Sequence, residues 1–248
     1  LETWTAASGL AGNKTRVAVE ISNGDVYVGT TTGLSIIRRD GSVTSYSRTE
    51  GFECDYVMCI FEDSQGIVWV GTDGGGIYLV KDGFIVGKLG SANGIAGNVV
   101  FKILEDESGA IWICTGTGVT KYIKPDQNLL GHGEGFLDVE TEYEDEDSDH
   151  SSYMRYDFDC GKMFNFTSSQ GIGTDSIFQI LFDYTGTAWM TSNRGISAVP
   201  AADLNAVASG EKSRVDARFF NQNDGLRTAG VNTTSLSMCA SLGRIWFT

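Results

Sequence analysis

The sequence predicts an all-β fold, a β-propeller of four-stranded antiparallel blades present as a partial array of about four to five blades. Three observations predict it. An aromatic centre recurs five times, as GDVYVGT around Tyr27, GIVWVGT around Trp69, GAIWICT around Trp112, GTAWMTS around Trp189 and GRIWFT around Trp246. A glycine–apolar pair stands eighteen residues before each of the first four centres, at Gly9-Leu10, Gly51-Phe52, Gly94-Ile95 and Gly171-Ile172. The first three centres are 42 and 43 residues apart, the length that one four-stranded blade uses.

Within each copy the strands follow in order. Segments such as YVMCIFED and VVFKILED read as the first strand. Asp63, Asp106 and Asp183 then open a turn that Gly66, Gly109 and Gly186 close three residues later, with glycine supplying a positive φ. The second strand, such as IVWVGT, is apolar on both faces, as a strand buried on both sides must be. GLSIIRR and GIYLVKD read as third strands, and SVTSYSR as a weaker fourth. The aromatic of each centre is expected to wedge between neighbouring blades. The glycine run Gly74-Gly75-Gly76 is a loop between strands and not a phosphate cradle. No Lys-Ser/Thr pair closes it, and the following Ile77-Tyr78-Leu79-Val80 is β-prone.

The repeat expands twice. Trp112 to Trp189 spans 77 residues, and the excess places an acidic insertion at about 126–160 in the outer strands of one blade. Glu134 to Asp159 holds eleven carboxylates and one arginine, a net of −10 out of the −14 of the whole chain. Such a run repels itself and is expected to be solvated. Asp145, Asp147 and Asp149 have a D-x-D-x-D spacing suggestive of calcium, but His150 stands where the loop glycine belongs and Tyr156 where the closing Glu does. The smaller excess before Trp246 contains AADLNAVASGEK, expected to form a short helical turn. LETWTAASGL is expected to be the last strand of a preceding blade. Leu1 is no initiator Met and the chain stops inside its fifth copy, so the 248 residues are expected to be one partial propeller ordered within a longer array.

The pattern in DYVMCIFEDSQGIVWVGTDGGG and NVVFKILEDESGAIWICTGTG resembles the two-component regulator propeller repeat. The copy around Trp189 departs from it, with FDYTG for EDxxG and MTS for VGT, and the first copy has ISNG and Tyr27. The resemblance implies the extracytoplasmic sensor region of a bacterial hybrid histidine kinase or diguanylate cyclase. It implies periplasmic or extracellular placement on a membrane-anchored receptor, and a ligand that is a small molecule or glycan, a carbohydrate-derived one being the family expectation.

Composition narrows the function classes. The negative charge argues against nucleic acid, and no apolar run is long enough to span a membrane. Five cysteines without a C-x-x-C pair and only two histidines support neither zinc nor a redox dithiol, so no cofactor is expected. No nucleophile elbow, Cys–His pair or histidine cluster assembles a catalytic set, and the protein is expected not to be an enzyme. The candidate site is the face where first strands begin. Fourteen residues before each aromatic stands Asn13, Asp55, Asn98, Asp175 or Asn232. These are either Asx caps of their own turns or a polar ring suited to sugar hydroxyls or a cation. Asp73, Thr117, Asn193 and Arg194, in the loops between second and third strands, join them if they share that face. Further blades or another copy of the chain are the expected macromolecular partners. A protein-interaction scaffold is the alternative reading, and a propeller polysaccharide lyase a third.

Overall fold

The computed structural model describes residues 3–125 and 161–227, together with the strand segments 136–139, 153–156, 238–241 and 244–247. Four four-stranded antiparallel blades account for most of the described residues. Blade 1 is β1 (Thr15–Glu20), β2 (Val26–Thr30), β3 (Gly33–Ile37) and β4 (Val43–Tyr46). Blade 2 is β5 (Val57–Glu62), β6 (Val68–Thr72), β7 (Ile77–Lys81) and β8 (Phe84–Leu89). Blade 3 starts with β9 (Val100–Glu105), β10 (Ile111–Thr115) and β11 (Gly118–Ile123). A separate hairpin, β12 (Phe136–Val139) and β13 (Tyr153–Tyr156), intervenes before β14 (Lys162–Phe166) closes that blade. Blade 4 is β15 (Ile177–Phe182), β16 (Thr187–Ser192), β17 (Gly195–Pro200) and β18 (Arg218–Phe220). The hairpin of β19 (Met238–Ser241) and β20 (Arg244–Phe247) follows.

The core lies between blades rather than within them. On β6, Val68 and Val70 face the seam with blade 1, while Trp69 faces the seam with blade 3. On β10, Ile111 and Ile113 complete the seam between blades 2 and 3, and Trp112 and Cys114 turn toward blade 4. This period-two division explains why the second strands are apolar on both faces. Trp69 and Trp112 are essentially inaccessible to water. Each meets aromatic rings of the following blade, Trp69 with Tyr122 at 6.1 Å and Trp112 with Phe182 at 5.2 Å. Gly71 permits the close approach of blade 3: a Cβ there would stand 2.6 Å from Cys59 Sγ and 2.7 Å from Val100 Cγ1.

AADLNAVASGEK forms more than a turn. Helix α1 (Ala201–Ser209) buries Leu204 and Val207 against blade 4 and ends at Gly210, whose φ is 83°. The start of the chain departs from the expected strand. Ala6–Ser8 is a 3₁₀ turn ending at Gly9 with φ 101°, the same device that precedes β5, β9 and β15. Ser8 N donates to Thr5 O within the turn, Thr5 N reaches Ser8 Oγ, and a left-handed glycine ends it, so Ala6–Gly9 cannot continue an extended strand. Leu1 and Glu2 lie outside the described residues.

Candidate functional site

The signature Asp in the turns of blades 2, 3 and 4 does more than bend the chain. Asp63 Oδ1 accepts from the amides of Gln65 and Ile67, both at 2.9 Å, and its Oδ2 accepts from Trp69 Nε1 at 2.9 Å. Asp106 holds Trp112 Nε1 at 2.7 Å, and Asp183 holds Trp189 Nε1 at 2.8 Å. One carboxylate therefore fixes both the hairpin and the ring that wedges into the next seam. Burial works against ionisation of Asp106 and Asp183, but the hydrogen bonds outweigh it. The Asp106 carboxyl lies below its usual range, and that of Asp183 falls to about 2.

The Glu that precedes this Asp reaches one blade back. Glu62 accepts from the amide and hydroxyl of Ser22 at 2.7 and 2.6 Å, and Glu105 accepts from those of Ser64 at 2.6 and 2.7 Å. Lys124 bridges Asp63 and Glu105 at 3.0 and 2.8 Å. Burial raises the Glu105 pKa, yet the Lys124 and Ser64 bonds bring it below the ordinary value. A cavity of about 530 Å³ borders this cluster, lined in part by Gln65, Glu105, Lys121 and Lys124. Gln65 Oε1 is buried there without a hydrogen-bond partner. The cavity lies at the turn end of the blades, opposite the face where first strands begin.

At that other face the sequence candidates come together as one layer. Asn13 Oδ1 accepts from Ala6 N at 2.7 Å, Asn98 Oδ1 from Ser91 N at 2.7 Å, and Asp175 Oδ1 from Ser168 N at 2.6 Å. In each case the donor is the first amide of the 3₁₀ turn seven residues upstream, so the side chain ties that turn to the start of the next first strand. Asp55 instead pairs with the guanidinium of Arg48, Nε to Oδ2 at 3.1 Å. The loops between second and third strands reach the same layer. The Asp73 amide donates to Tyr56 O, those of Gly74 and Gly76 donate to Asn98 O, and Thr117 Oγ1 donates to Ala96 O. Asn193 and Arg194 are exposed on the equivalent loop of blade 4. Asn232 lies outside the described residues, as do Asp145, Asp147 and Asp149. Among the described residues no cluster of His, Cys, Asp and Glu is arranged to hold a metal ion.

Residues 51–74, from the glycine–apolar pair through the second strand of blade 2, match the model of the two component regulator propeller. The chain carries a two component regulator propeller repeat. That repeat supplies Asp63, Trp69 and Glu62 of the contacts above. Among solved structures, the propeller is similar to the extracellular domain of a B. thetaiotaomicron protein assigned as the hybrid two component system BT3049. The identity is 19%, the TM-score 0.63, and the match covers 94% of this chain and 26% of that one. The extracellular domain of BT4673, assigned as a hybrid two component system of the same organism, matches at 15% identity and a TM-score of 0.58, over 96% of this chain and 27% of that one. The propeller described here thus spans about a quarter of the length of these structures. Comparison with curated protein sequences gives no match.

The sequence reading missed the Asp–Trp bond and the Ser–Glu clasp. The six-residue spacing from Asp63 to Trp69, repeated from Asp106 to Trp112 and from Asp183 to Trp189, was a usable signal for the first. The clasp joins residues 40 and 41 positions apart on different blades, and nothing local marks it.

Proposed function

We propose that this chain is the ligand-binding propeller of a bacterial signal-transduction receptor, acting on the extracytoplasmic side of the membrane and without catalysis of its own. The observation that carries the reading is the two component regulator propeller match at residues 51–74, set in a chain whose copies repeat that unit. The similarity to extracellular domains assigned to two component systems supports the same placement. Among the described residues no helix is long and apolar enough to cross a membrane. A carbohydrate-derived ligand fits the face where Asp73 and Arg194 are exposed beside the half-buried, already bonded Asp55 and Asn98. Signal output would follow from ligand-dependent packing of the blades against their neighbours. The test is to sequence the reading frame on both sides of residues 1 and 248 and to follow reporter output under candidate glycans. Further blades, a membrane span and a kinase or cyclase domain are the expected result. A frame without any output domain would sink the receptor reading and leave an interaction scaffold.

A further inference from the structure

Every described blade interrupts its first strand at the same place. The ladder between first and second strands shifts by one residue at Arg16 in β1, Met58 in β5, Phe101 in β9 and Phe178 in β15. Each is the second residue of its strand and stands eleven residues before the aromatic centre. A bulge sacrifices ladder bonds and re-aims one side chain. These four first strands lie side by side, β1 beside β5, β5 beside β9 and β9 beside β15, so the re-aimed side chains form one strip along the inner wall.

The strip has the chemistry of a binding surface rather than of packing. In blades 2 and 3 the residues flanking the bulge include buried Val57, Cys59 and Val100, and in blade 4 Ile177 and Gln179 are buried. The bulged residues themselves are all half-exposed. They also differ in kind, a guanidinium, a thioether and two phenyl rings. The Arg16 guanidinium lies 5.1 Å from the centre of the Tyr56 ring and its Nη2 is 3.9 Å from Met58 Sδ. Among the described residues no carboxylate pairs with it. Asp55, the neighbour of Tyr56, is occupied by Arg48. Phe101 and Phe178 meet edge to face with centroids 5.3 Å apart, an arrangement that leaves ring surface open to a further ring.

We propose that Arg16, Tyr56, Met58, Phe101 and Phe178 form a platform for a small organic anion with an apolar ring face. The Arg16 guanidinium, which no carboxylate among the described residues neutralises, takes the carboxylate or sulfonate, and the thioether and phenyl groups take the ring. This goes beyond the glycan reading above, with a different ligand class on different residues, and it rests on the blades alone, so absence of an output domain leaves it standing.

The probes are 2-naphthoate and its neutral counterpart 2-naphthamide, titrated calorimetrically into the whole chain. Naphthoate is expected to bind about ten-fold more tightly, the difference that one charge-assisted contact makes. Arg16→Gln abolishes that preference, Arg16→Lys retains part of it, and Phe178→Ala weakens both ligands several-fold. Raising salt from about 50 to about 300 mM weakens naphthoate and spares naphthamide, a readout that needs no variant. Equal affinities for the two probes, no binding of either, or a preference that survives Arg16→Gln overturns the proposal.

Discussion

The seam between blades 2 and 3 and the seam between blades 3 and 4 occupy equivalent positions and are fastened by different chemistry. In the first, the turn serine Ser64 donates twice to Glu105, and Lys124 bridges Glu105 and Asp63 over buried Trp69. In the second, both members of the clasp have changed. Glu107 stands at the serine position and Phe182 at the glutamate position. Phe182 packs its ring at 5.2 Å from Trp112, and Lys121 covers Trp112 at 5.2 Å while donating to Asn205 of α1 at 2.6 Å. Burial pulls the Lys121 pKa below the ordinary lysine value. At this seam the serine and the glutamate are both replaced, while Asp106 and Asp183 keep the Trp bond that lies within each blade.

The largest expected effect is on the shared Asp. Asp63→Ala removes the carboxylate that Trp69 Nε1, two turn amides and Lys124 share in a buried site, and it should destabilise by about 3 kcal/mol in urea unfolding. Asp183→Ala, at a more open turn, should cost about half as much. Equal losses would mean that burial does not separate the two positions.

Exchanging the fastenings is a sharper test. Phe182→Glu alone should cost about 2 kcal/mol through lost ring contact with Trp112 and added negative charge beside blade 3. Adding Glu107→Ser should recover about 1 kcal/mol if the clasp works as a transferable pair. No recovery in the unfolding midpoint would show that the clasp also requires Lys124. A double-mutant cycle on Ser64→Ala and Glu105→Gln should give a coupling of about 1 kcal/mol. A null coupling would reduce the clasp to geometry without energy.

Acid should produce the smallest and broadest change. Asp106, Asp183 and Glu105 all have folded pKa values below the ordinary ones. A lowered carboxyl stabilises the fold above its unfolded pKa, near 4, and that contribution is lost as pH falls toward about 2, the Asp183 value. Thermal midpoints should therefore decline across that window, and less so in Asp183→Asn.

Blade boundaries, turns and the two-faced second strands were legible in the chain because each depends on residues within a few positions of one another. The Asp-to-Gly turn is a local hairpin, and the period-two apolar pattern of IVWVGT states its burial directly. The same local reading failed at Thr3–Gly9, where β-prone residues proved less decisive than a capping box and a left-handed glycine. The candidate face was half legible. Asn13, Asn98 and Asp175 stood out by recurrence, but their amide and carboxylate oxygens are tied to the upstream turns, and only geometry shows it.

The propeller class, the repeat length and the position of the acidic segment are properties of spacing and composition, which one chain carries in full. Which Ser meets which Glu, where Lys124 settles, and the alignment of Arg16, Met58, Phe101 and Phe178 along one wall were decided only when the blades packed. Apart from Lys124 with Glu105, those contacts join residues 40 or more positions apart, and side chains that far apart meet only through the twist and bulge of intervening strands.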